Sequence, residues 1–166
     1  MALQFKKATK TQARLRMAIC GPGGSGKTYT SLLVARELAN GGRVALIDSE
    51  RGSASKYADI YDFDVLELGS FSPETYVEAI AAAEASGYAV VVIDSLSHAW
   101  AGRDGALEQV DRVVARNEAQ NRRANSFTAW REVTPMHNRL VDAMLGSACR
   151  NASNRLSCVS GDTPMP

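Results

Sequence analysis

The chain has 166 residues, 45% of them hydrophobic and 22% charged, with a net charge of +1. That composition is ordinary for a globular domain and long enough to close one core. The even charge balance excludes a strong general attraction to nucleic acid or membrane and leaves any such contact to a local patch. The three cysteines, Cys20, Cys149 and Cys158, lack metal-ligand spacing and suit a reducing compartment better than secretion. No apolar run reaches the roughly 18 residues a membrane span needs.

In chain order, 1–13 is a basic lead-in with Lys6, Lys7 and Lys10 and no apolar segment of the secretory kind. It reads as solvated, with an arm for phosphate or nucleic acid as the alternative. Arg14 to Cys20 is short and apolar enough for a buried strand. A glycine-rich stretch follows, then Tyr29 to Asn40, whose Leu32, Leu33, Ala35, Arg36 and Leu38 recur at helical spacing before Gly41-Gly42 stops them. Arg43 to Asp48 reads as a second buried strand, and Ala54 to Ile60 as a short helix. Phe63 to Leu68 alternates apolar and acidic residues, the pattern of a strand near a sheet edge with one wetter face. Ser72-Pro73-Glu74 opens a helix: a capping hydroxyl, proline in the first turn, and an acid near the positive end of the dipole. That helix runs through Ala85 to a stop at Gly87. Tyr88 to Asp94 is apolar on both faces and β-branched, as a central parallel strand should be. Beyond it, Gly105 to Asn121 reads as a charged helix with a thin apolar stripe, and Thr134 to Leu145 as another, led by Thr134-Pro135. From 147 to 166 the pattern fails, with only Leu156 to Val159 able to form a stunted strand. Alternating strands and helices predict an α/β domain with a mostly parallel sheet, spanning 14–146.

Gly21-Pro22-Gly23-Gly24-Ser25-Gly26-Lys27-Thr28 fits the G-x-x-x-x-G-K-[ST] pattern of a Walker A loop. It stands between an expected strand and an expected helix, which is the context the chemistry requires. Successive backbone amides and the helix N-terminus face a phosphate, and glycines let the backbone approach it without a Cβ in the way. Lys27 would reach the β- and γ-phosphates, the Thr28 hydroxyl would hold Mg²⁺, and Tyr29 would flank the bound nucleotide. Val90-Val91-Val92-Ile93-Asp94 has the Walker B form, an apolar strand delivering one carboxylate at its C-terminal end, where ligands of parallel sheets sit. Asp94 would hold the water shell of that Mg²⁺. The other buried strand ends in Asp48-Ser49-Glu50, which places Glu50 to polarise an attacking water; a solvated acidic turn is the alternative. Arg51 reads as a surface arginine, and His98 and Trp100 as lip or core residues.

Leu46-Ile47-Asp48-Ser49-Glu50 and Val92-Ile93-Asp94-Ser95, taken with the glycine loop, resemble the RecA-like branch of P-loop ATPases. More narrowly, the chain resembles the small RecA-like ATPases of bacteriophage recombination modules, often grouped with AAA proteins. The resemblance implies ATP and Mg²⁺ as cofactors, Glu50 as the catalytic glutamate and Tyr57 stacked on adenine, against the alternative that Tyr57 packs a helix on the sheet. It further implies a homo-oligomer or a phage recombination partner, contact with single-stranded DNA, no membrane, and the cytoplasm (the host's, if the chain is phage-encoded). RecA-like domains continue into further core strands where this chain has its polar tail, so strands missing or stunted by truncation or a shifted frame are expected there. A basic stripe for DNA (Arg112, Arg116, Arg122, Arg123) is interrupted by Glu108, Asp111 and Glu118, as a solvated helix face would be. The leading expectation is an ATPase of DNA recombination or single-strand handling. A small-molecule kinase and a non-hydrolysing nucleotide-binding assembly module are the alternatives.

Overall fold

Five strands pair parallel throughout in one sheet of order β1-β5-β4-β2-β3. The structure is a computed structural model that describes residues 7, 15–120, 125–147 and 157–161. The strands are β1 (Arg16–Cys20), β2 (Val44–Asp48), β3 (Asp64–Glu67), β4 (Val90–Asp94) and β5 (Ser157–Gly161); the helices are α1 (Lys27–Ala39), α2 (Pro73–Ala85), α3 (Ser97–Ala101), α4 (Ala106–Ala119) and α5 (Ser126–Gly146). The basic lead-in other than Lys7, together with Arg122, Arg123 and the stretch 148–156, lies outside the described residues.

Two of the strands are buried along their whole length because both sheet faces are covered. Val44 and Leu46 of β2 and Val90 and Val92 of β4 point to one side, where Leu32, Ala35 and Ala39 of α1 pack on them. Their neighbours Ala45, Ile47, Val91 and Ile93 point to the other side and meet Tyr76 and Ile80 of α2 and Leu140 of α5. Apolar residues at consecutive positions are what a strand enclosed on both faces requires. A third cluster, Val110 and Val113 with Ala129 and Val133, seals α4 against α5.

Local chemistry sets most of the ends. Ser72 Oγ accepts from Thr75 N at 3.3 Å and Pro73 takes the first helical position, so α2 begins as its sequence predicts. The guanidinium of Arg16 donates to the carbonyls of Met144, Leu145 and Ser147, which ties the first strand to the negative end of α5.

Four expectations change. The helix placed at Thr134 to Leu145 starts eight residues earlier at Ser126 and carries Pro135 inside it. Its cap is Asn125, whose side chain accepts from Thr128 N at 2.8 Å. The short helix expected over Ala54 to Ile60 is one 3₁₀ turn, Ala54–Tyr57. The edge strand has no dry face, since all four residues of β3 are exposed. Where a stunted strand over Leu156 to Val159 is expected in an otherwise irregular stretch, Ser157–Gly161 forms a short strand seated between β1 and β4.

Truncating Leu46, which is fully buried between β4 and α1, should cost about 2–5 kcal/mol through lost burial and the cavity left behind. Denaturant unfolding of Leu46→Ala measures it.

Candidate functional site

The loop between β1 and α1 is held open by its own backbone. Gly24 and Gly26 sit at φ +76° and +82°, a region that costs any side-chain-bearing residue, and Gly26 turns the chain directly into α1. A Cβ on Gly21 would stand 2.7 Å from Ser25 Oγ. Among the described residues no side chain caps α1, and the N-terminal end of such a helix favours an anion.

Lys27 folds back over this loop, its ammonium donating to the carbonyls of Gly21 at 3.0 Å and Pro22 at 2.9 Å. Thr28 Oγ1 donates to Asp94 Oδ2 at 2.5 Å, so the start of α1 and the end of β4 meet at one hydroxyl–carboxylate pair. The parallel register of β2 and β4 puts Asp48 opposite Asp94. Both are buried, but their partners differ. Asp48 accepts from the backbone amides of Glu50 at 2.6 Å and Gly52 at 2.7 Å, which winds the chain after β2 into a tight turn. That turn sends Glu50 into the cavity bounded by the glycine loop, where its carboxylate accepts from Ser53 Oγ at 3.3 Å.

The cavity measures about 290 Å³ and is lined by residues 23–28 together with Glu50, Ser53, Lys56, Tyr57 and Asp94. It therefore gathers Gly23, Gly24, Ser25, Gly26, Lys27, Thr28, Glu50, Tyr57 and Asp94 from the residues expected on sequence. Gly21 and Pro22 stand behind it as acceptors for Lys27. Tyr29 is not in its wall; the ring packs edge-on against Tyr57 at 5.9 Å and Tyr61 at 5.5 Å. Arg51 is exposed at φ +54°. Arg112 and Arg116 are engaged by carboxylates, the first with Asp104 and Glu108 and the second with Glu132. Within the described part of the expected basic stripe, both arginines are thus paired with carboxylates.

Sequence reasoning missed Ser53 and Lys56, which complete the cavity wall, and the role of Asp48. It also missed a polar clasp behind the site. Ser49 Oγ donates to the Ser95 carbonyl at 2.9 Å, accepts from Ser95 N at 2.8 Å and lies 2.8 Å from His98 Nδ1. The buried Tyr76 hydroxyl donates to the same Ser95 carbonyl at 3.1 Å, and burial pushes that phenol up to about 12. His98 stacks on Phe71 at 5.0 Å. A serine after each strand's aspartate is the only sequence signal for this clasp, and its pairing appears only when the two strands are set side by side.

A parallel sheet with a glycine loop, a lysine and a threonine at one strand–helix junction, and an aspartate at the end of a central strand, defines a P-loop nucleotide-binding fold. A family profile described as an AAA domain matches residues 13–151, and the chain belongs to that family. This places it among P-loop, ATPase-like nucleotide-binding domains. No curated protein matches the chain. Among the described residues no helix is long and apolar enough to cross a membrane.

Lys27→Ala should abolish measurable ATP binding by titration calorimetry while leaving the thermal midpoint near that of the parent. Tyr76 carries the second expectation. Because its folded pKa lies above the unfolded value near 10, it contributes stability below pH 10 that is lost as pH rises toward 12. Tyr76→Phe should flatten that part of the alkaline stability profile in urea melts across pH 9 to 12.

Proposed function

We propose that the chain is a Mg²⁺-dependent ATPase of the RecA-like kind found in phage recombination modules, serving DNA recombination or single-stranded DNA handling. The observation that carries this reading is the convergence of Lys27, Thr28, Glu50 and Asp94 on one cavity beside the glycine loop. The loop amides and Lys27 bind the triphosphate and orient its terminal phosphate toward β4. Turning Lys27 from its two loop carbonyls to a phosphate exchanges neutral acceptors for a charged one, which strengthens the bond it makes.

The donor set fits Mg²⁺. One hydroxyl and one carboxylate, with phosphates and water supplying the rest, is what this ion takes in nucleotide sites. Among the described residues no cluster of three or more His, Cys, Asp or Glu side chains competes as a metal cage. Thr28 and Asp94 would hold the ion, which when bound neutralises charge on the terminal phosphates. Glu50 stands across the cavity and polarises the attacking water, accepting its proton at a carboxylate oxygen. Asp48 acts on Glu50 through the backbone, because its carboxylate fixes the turn from which Glu50 projects. Tyr57 offers its ring to the adenine at the far wall, braced by Tyr29.

Glu50→Gln should keep ATP affinity within about threefold and lower turnover by about 10²–10⁴-fold, the usual worth of a positioned base. Steady-state phosphate release with and without single-stranded DNA, and against a panel of nucleosides, is the measurement. Phosphate transfer to a nucleoside in place of DNA-stimulated release would replace this reading with a kinase.

A further inference from the structure

The exposed aromatic surface lies away from the nucleotide cavity, on α3 and the first half of α5. Trp100 and Trp130 stack with ring centroids 5.2 Å apart and planes 20° from parallel, and His137 meets Trp100 edge-on at 5.6 Å. Trp100 remains 43% exposed, and Phe127, one turn before Trp130, is 78% exposed. Trp130 is half-buried against the α4–α5 cluster and anchors the two exposed rings, and large rings left open to water in this way mark a binding face. Trp130, Phe127, Arg131 and Pro135 line an open hollow beside the stack.

Its chemistry selects the occupant. Arg131 is exposed and makes no hydrogen bond or ion pair among the described residues, unlike Arg112 and Arg116 on α4. No carboxylate lines the hollow among the described residues, and the nearby Glu132 is drawn toward α4 by Arg116 at 2.5 Å. Pro135 has no N–H to give the Arg131 carbonyl, so the regular i to i+4 bond is missing at that turn of α5. Ring faces, one cation and no anion fit unpaired nucleobases joined by phosphates, because every base has a π-face and each linkage carries a negative charge.

We propose that the Trp100–Trp130–Phe127 cluster is a stacking platform for single-stranded nucleic acid, with Arg131 holding a backbone phosphate. The assignment rests on the proposed DNA-handling role but not on ATP hydrolysis. It moves the DNA contact from the α4 arginines to α3 and α5. The platform is joined to the nucleotide site by α3 itself, which carries His98 inward to Ser49 and, two residues on, Trp100 outward.

The chain contains only two tryptophans, and both are in the stack, so intrinsic tryptophan emission reads this surface alone. Titration of the full chain with an oligothymidine of about 20 nucleotides should quench that emission saturably. Anisotropy of the labelled oligonucleotide should show affinity weakened about tenfold or more in Trp100→Leu and largely retained in Trp100→Phe. In Arg131→Gln the slope of log affinity against log salt should become shallower by about 0.7, the loss of one phosphate contact. ATP affinity measured in parallel should stay unchanged in all three variants, which separates this surface from the nucleotide site and controls for folding. No binding, binding without quenching, or equal affinity in Trp100→Leu would overturn the proposal, whatever the ATPase assays report.

Discussion

The parallel pairing of β2 with β4 is the constraint on which the nucleotide end depends. It sets Asp48 beside Asp94 at the carboxyl edge of the sheet and brings the chain segments that follow each strand within hydrogen-bond reach. Ser49 N donates to the Asp94 carbonyl at 2.8 Å, continuing the ladder one residue past the aspartates. Ser49 Oγ then clasps the backbone of Ser95. A slip of the register would separate these groups and move Glu50 away from the glycine loop. The apolar interior guards against that slip, because every residue of both strands is buried and a one-residue shift would exchange the side chains facing α1 with those facing α2.

Two buried carboxylates side by side would repel one another unless each were satisfied, and the site resolves this by giving them different partners. Asp48 spends its oxygens on two backbone amides and becomes part of the turn. Asp94 takes the Thr28 hydroxyl and stays on the cavity wall. One aspartate thereby fixes a turn and the other faces the cavity, although both end apolar strands. The same division separates Tyr76, whose hydroxyl is consumed by the Ser95 carbonyl, from Tyr57, whose ring borders the cavity.

The nucleotide end of the sheet and the Trp100 surface are connected by α3. This five-residue helix begins three residues after Asp94 and is tied back to the chain after β2 by the Ser49–His98 contact. Phe71 packs on the far side of His98, and a Cβ on Gly102 would stand 2.8 Å from that same phenyl ring. The segment is closely packed between the end of β4 and the Trp100 surface.

The glycine loop, the β2 and β4 strands with their terminal acids, and the capped start of α2 were legible in the sequence, because each is encoded by contiguous residues. Glycines at left-handed positions, an unbroken apolar run and a Ser-Pro-Glu start act over a few residues and need no distant partner. The start of α5 was misplaced because Thr134-Pro135 carries a strong opening signal that tertiary packing overrides. Ala129 and Val133 bury against α4 and hold the helix together through the proline, while Asn125 provides the actual cap. Strand order, the place of Ser157–Gly161 between β1 and β4, the turn built on Asp48, the Ser49–Ser95–His98 clasp and the Trp100–Trp130 stack were decided only by the tertiary structure. Each joins parts of the chain that no local pattern relates, and their proximity follows from how the helices cover the two faces of the sheet.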